Sequence, residues 1–205
     1  MKKNFHIARI RSRFIQLLEL KNNWMFFLFL IFMVQINGSS CSRKVLPGIS
    51  YTKLENKTGK GMLNRFLEDG TGKRLPMGTV SEEDLISTAK EYIGVPHRMG
   101  GCSSRGMDCS GLLMRVFAIH GITLPHNSEE QARYGDIIES KSQLKKGDLV
   151  FFVNTYRTQR FITHSGIYAG NNRFVHTSSS QGVTITSLDN VWWRDKFIFG
   201  TRIFN

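Results

Sequence analysis

A chain of 205 residues is long enough for one domain with a substantial core, with appendages left over. Its formal net charge is +12, but residues 1–24 hold six Lys or Arg against one acid, residues 41–75 hold eight against three, and residues 80–205 hold 14 against 12. The region that reads as folded is therefore close to neutral, and without zinc-finger spacing, a recognition helix or an aromatic RNA-binding motif it does not read as a nucleic-acid binder.

The first distinctive stretch is "WMFFLFLIFMVQI", residues 24–36, which carries no charge. Thirteen residues are too few for a span of about 20, but they suit the apolar part of an export signal behind a basic leader. Gly38, Ser39 and Ser40 then lead into Cys41. That order resembles a bacterial lipoprotein signal, which implies lipidation at Cys41 and a membrane anchor; Gly38 stands where such signals usually carry Leu. A simple cleaved signal or a short signal anchor is the plainer alternative. Residues 1–40 are thus read as a signal segment and 41–79, rich in Lys, Gly, Asn and Thr, as a basic flexible linker with one short helix around "MLNRFLE".

The folded domain is expected over residues 80–205. Ser81 caps a helix with Asp84 three residues later, Leu85, Ile86, Ala89, Tyr92 and Ile93 form its apolar stripe, and Gly94 and Pro96 end it. A second helix runs from Cys109 to about His120, burying Leu112, Leu113, Val116 and Phe117. A short third helix is capped by Asn127 or Ser128. Strands follow at 147–153, 161–170, 173–178, 182–186 and 196–204, short, rich in β-branched or aromatic residues and separated by turn formers. Helices first and antiparallel strands afterwards predict an α+β domain.

Chemistry centres on Cys109. A thiol with an ordinary pKa of about 8.5 is mostly protonated at neutral pH, and a nucleophile must be thiolate. Two devices lower that pKa: the positive end of the helix dipole in the first turn, and an imidazole that takes the proton. His164 and His176 supply imidazoles. They flank "GNN", residues 170–172, and are separated by an even number of residues. A three-residue loop, Gly170-Asn171-Asn172, pairing Ala169 with Arg173 places His176 opposite Gly166 on the same face as His164, whereas a two-residue loop puts the imidazoles on opposite faces and defeats the arrangement. Same-face placement lets one imidazole address the thiol while the other orients it. Other fates stay open at this point: Cys109 as a packing residue, a Cys102–Cys109 disulfide, or Cys109, His164 and His176 as three zinc ligands, the last without any paired-ligand spacing to support it.

Six ordered blocks change the balance: "GVPHRMGG" before "DCSGL", then "GITLPHNSEEQ", "LKKGDLVFF", "ITHSGIYAGNNRFVHTSS" and "WWRDKFIFGTRI". From Ser81 to the C-terminus the chain resembles the NlpC-type cell-wall cysteine peptidases, a papain-like group. The resemblance implies a papain-like α+β fold, Cys109 as nucleophile, His164 as general base and acid, and His176 as the residue that orients His164. It places Asp108 and Ser110 at the substrate rim or oxyanion region, and His97 where the family usually has a tyrosine. It further implies hydrolysis, with no metal or cofactor, of an amide in the peptidoglycan stem peptide, usually between D-glutamate and a diamino acid, in the cell envelope. Asp108, an anion beside the thiol, opposes thiolate formation and needs its charge absorbed. Two other readings are a non-catalytic wall-peptide binder and a cysteine acyltransferase on the same scaffold.

Overall fold

The computed structural model describes Leu54 and residues 57–204. The signal segment 1–40, Cys41 and the first part of the expected linker lie outside the described residues.

The linker expectation is corrected for residues 57–79. Helix α1, Lys57–Glu68, is longer than the short helix expected there. Leu63 and Phe66, three residues apart and so on one face, are buried in the core. The Phe66 ring lies 5.7 Å from those of Phe161 and Phe199. Arg133 closes the C-terminal end of α1 by donating to the carbonyls of Phe66 and Gly70 at 3.0 and 2.9 Å, as cations do at helix C-termini. Arg74 then donates to both carboxylate oxygens of Asp136 at 3.1 Å. The polar composition hid an amphipathic face on which Met62 and Leu67 flank Leu63 and Phe66 against the core.

Helix α2, Glu82–Glu91, starts with a reciprocal capping box between Ser81 and Asp84 and buries Leu85, Ile86 and Ala89. Ile93, placed in its stripe by spacing, is half exposed beyond the helix end. A small hairpin, β1 (Cys102–Ser103) and β2 (Gly106–Met107), precedes α3, Cys109–Ile119. Helix α4 is one turn, Ser128–Gln131, capped by Asn127. The remaining strands are β3 (Asp136–Ile138), β4 (Leu149–Phe152), β5 (His164–Gly170), β6 (Arg173–Ser178), β7 (Gly182–Ser187) and β8 (Phe197–Arg202). They form one antiparallel sheet in the order β3-β8-β4-β5-β6-β7, which gives the α+β domain expected.

Side chains alternate across the sheet. Leu149, Phe151, Ile167, Val175 and Phe199 join the helices in the main core, while Val150, Phe152, Tyr168, Phe174, Phe197 and Leu188 form a second cluster on the other face. Both faces are therefore dry, which explains the nearly continuous apolar run of β4.

The β5–β6 hairpin keeps the expected register by a different route. Its turn has two residues, Asn171 and Asn172, both with positive φ as a primed turn requires. Tyr168 pairs with Phe174 but Gly170 with Arg173, so an extra residue is bulged between them. The bulge restores the odd count that a two-residue loop removes, and Ile167 opposite Val175 puts His176 opposite Gly166. A Cβ on Gly166 would fall 2.7 Å from the Phe174 ring and 3.2 Å from the His176 Cβ, so only glycine leaves room there.

Candidate functional site

Cys109 is the first residue of α3, and Asp108 is its cap. The Asp108 carboxylate faces inward. One oxygen accepts from the Gly111 N–H (2.7 Å), the Ser110 hydroxyl (3.0 Å) and His126 Nε2 (2.9 Å), and the other accepts from the Gly100 N–H (2.8 Å). The charge beside the thiol is thus absorbed by two backbone donors, a hydroxyl and an imidazole, and its pKa is lowered even though burial pulls the other way. Gly111 is dictated by close approach, because a Cβ there would collide with the Gly101 carbonyl oxygen. The same bonds tie the Gly100–Gly101 loop to the start of α3 and fix the height of Cys109.

Opposite it, His164 opens β5 and His176 lies within β6, both buried. His164 Nε2 and His176 Nδ1 are 2.9 Å apart, and His176 Nε2 is 2.9 Å from the Thr186 hydroxyl. With His176 Nε2–H donating to Thr186 and His164 Nε2–H donating to His176 Nδ1, the chain leaves His164 Nδ1 as a free base. The rings are walled by aromatics. Phe174 stacks on His176 at 4.4 Å, and Trp193 covers both imidazoles at 4.6 and 4.7 Å.

Cys109, His164, His97, Asp108 and Ser110 all line one cavity of about 710 Å³. His176 stands behind His164 rather than on the wall. Exposed Met99, Tyr156 and Trp192 form part of its lining. Cys102 is a half-buried strand residue opposite Met107, and both Cys102 and Cys109 are free thiols. His164 and His176 turn their facing nitrogens toward each other, and among the described residues no three His, Cys, Asp or Glu side chains are grouped to hold a metal ion. Cys41 lies outside the described residues.

The electrostatics differ from the expectation of a thiol acidified in its resting state. Burial pushes the Cys109 thiol up, with the Asp108 charge adding to it, while the N–H groups of Ser165 and Ser110, and the Ser128 hydroxyl whenever it donates to sulfur, pull it down. Burial also holds His164 well below the usual imidazole value, helped by the His176 and His97 charges, and takes His176 from 6.5 to about 3. For both groups desolvation is the largest cause, and both shifts favour the uncharged form.

Sequence reasoning missed three parts of this site. Trp193 sits in a quoted block, but no role attached to it. Thr186 is diagonal to His176 across the β6–β7 ladder, in which His176 pairs with Thr184; the spacing of β6 and β7 would have shown that once their register was fixed. Ser128, Ser165 and Gln131 form a polar chain behind the thiol, and no single-sequence signal joins them.

The chain is similar in sequence and fold to known proteins. Residues 94–202 match the model of the NlpC/P60 family. The chain is 43% identical over 123 residues to the gamma-DL-glutamyl hydrolase of Bacillus subtilis, covering 59% of this chain and 29% of that protein. It is 39% identical over 122 residues to the murein DD-endopeptidase MepS/murein LD-carboxypeptidase of Escherichia coli K12, covering 59% and 62%. The chain therefore spans less than two thirds of the length of these curated relatives. The crystal structure of a NlpC/P60 family protein from Bacillus cereus superimposes with a TM-score of 0.56 at 31% identity, covering 62% of this chain and 41% of that one. With the matched region running from the end of α2 through β8, and holding the thiol, both imidazoles and the Asp108 cap, the chain belongs to the NlpC/P60 family.

Proposed function

We propose that this chain is a cysteine peptidase of the cell envelope that hydrolyses the amide between D-glutamate and a diamino acid in peptidoglycan stem peptides. The observation that carries the reading is the convergence on one cavity of the Cys109 thiol and an imidazole oriented by the chain His164–His176–Thr186. A stem-peptide carbonyl placed at the thiol is attacked by sulfur as the S–H proton passes to His164 Nδ1. The neutral resting pair suits this order, because the base is free until the thiol needs it. The Cys109 N–H at the start of α3 and the His97 imidazole are the donors assigned to the oxyanion, with Ser110 and Asp108 forming the adjoining wall. His164 then gives its proton to the leaving amine, and water resolves the thioester through the same imidazole.

The Bacillus subtilis relative is named for a gamma-DL-glutamyl bond, which agrees with the glutamyl side of the assignment and names no diamino acid, while the Escherichia coli relative is named for other bonds. Export and lipid attachment at Cys41 complete the reading, since they bring the domain to its substrate.

The test is digestion of purified peptidoglycan and of a synthetic stem peptide under reducing conditions, with mass analysis of products. Wild type should release fragments cut after D-glutamate, and Cys109→Ala should lower the rate by roughly a thousandfold or more. Equal product from both proteins would end the nucleophile assignment. Fragments cut only at D-alanyl bonds would replace the D,L assignment with a D,D one.

A further inference from the structure

Behind the thiol runs a chain of hydrogen bonds whose direction is set by atoms that cannot change role. Gln131 is fully buried. Its Nε2 donates to the carbonyl oxygens of Ser110 and Pro125, both at 2.8 Å. Carbonyl oxygens only accept, so the amide cannot be flipped and Oε1 is left as an acceptor. The buried Ser165 hydroxyl donates its single proton to that oxygen at 3.1 Å. Ser128 Oγ lies 3.1 Å from Ser165 Oγ; with the Ser165 proton spent, Ser128 is the donor of this bond. Ser128 has then spent its own proton. The Cys109 sulfur, 3.5 Å away, meets Ser128 Oγ as an S–H donor.

We propose that Ser165 and Gln131 are positioning residues that hold Ser128 as the acceptor of the Cys109 thiol proton, so that the nucleophile is stored as thiol until the Ser128 hydroxyl turns. The inference rests on the assignment of Cys109 as nucleophile and adds a control to it. While Ser128 faces Ser165, a thiolate would meet an oxygen lone pair. When the O–H swings to sulfur, one neutral hydrogen bond is exchanged for a charge-assisted one, and the same side chain favours the thiolate. No proton is lost in the turn: the hydroxyl proton stays on Ser128 and changes acceptor, while the thiol proton goes to His164. Ser128 also lines the cavity, so a polar group of substrate at that wall meets the hydroxyl whose direction decides the state of the thiol.

The experiment follows thiol reactivity rather than wall hydrolysis. In a Cys102→Ala background, the iodoacetamide alkylation rate of the Cys109 peptide is measured by mass spectrometry against pH for the parent, Ser165→Ala, Ser128→Ala and the double variant. Ser165→Ala frees the Ser128 hydroxyl to donate to sulfur, so the midpoint should fall by about one pH unit, with roughly tenfold faster alkylation at pH 7. Adding Ser128→Ala should abolish that gain. A midpoint in Ser165→Ala that stays or rises overturns the proposal, as does a gain that survives removal of Ser128. Should Ser165→Ala fail to fold, the S–H stretching band of a Cys41→Ala/Cys102→Ala parent, in which Cys109 is the one thiol left, decides. A frequency lowered by donation to oxygen, returning toward the free value in Ser128→Ala, supports the chain, and a free-thiol band overturns it. Cys109→Ala abolishing hydrolysis while these readouts fail would sink this control alone.

Discussion

Replacing His176 by Gln should flatten the acid side of the stability curve. His176 is fully buried, stacked on Phe174 and covered by Trp193, and burial takes its pKa from 6.5 to about 3. A base whose folded pKa is depressed binds its proton more readily in the unfolded chain. Its contribution is therefore present above pH 6.5 and is lost as the pH falls from 6.5 toward 3. The slope over that window approaches about 1.4 kcal/mol per pH unit, and between pH 7 and pH 5 the integrated loss is about 2 kcal/mol. Against a typical total of about 5–15 kcal/mol that is a readily measured share. Glutamine keeps one donor and one acceptor near Thr186 and His164 but cannot titrate. Urea unfolding at the two pH values should show wild type losing about 2 kcal/mol more than His176→Gln. Carboxylates titrate in both proteins, and any loss of packing in the variant is common to both pH values. Equal losses in the two proteins would refute the claim that His176 is held neutral by burial.

Two further outcomes follow from other parts of the chain. Phe66→Ala, which removes a buried ring between Phe161 and Phe199, should destabilise the domain by about 3–5 kcal/mol in denaturant unfolding; a loss under about 1 kcal/mol would mean that α1 is an appendage after all. Cys41→Ala should move the protein from the membrane fraction to the soluble fraction of fractionated cells, and unchanged partition would refute lipid anchoring at that residue.

Some of this molecule was legible residue by residue. The Ser81–Asp84 capping box, the helix start that places Cys109 in a first turn, and the strand over 173–178 all follow from local rules, because a cap or a turn is decided by a few neighbours along the chain. Parity did less for the histidines. The even spacing allowed a shared face if the loop were odd; the structure has a two-residue asparagine turn instead and reaches the shared face through a bulge at the glycine end. Loop length and bulge trade against each other, so parity alone could not decide the face.

What the sequence determined by itself was a run of helices ahead of the strands that begin near residue 147 and the place of Cys109 in a first turn. The tertiary structure decided whatever depends on residues distant in the chain. It buries Phe66 against Phe161 and Phe199, lays Trp193 over the histidine pair, brings Thr186 to His176, and threads Gln131, Ser165 and Ser128 to the thiol. It also decided the sign of the Cys109 shift. A helix start can be read from the sequence, but desolvation depends on everything that surrounds the sulfur once the chain has closed around it, and here desolvation is the largest cause.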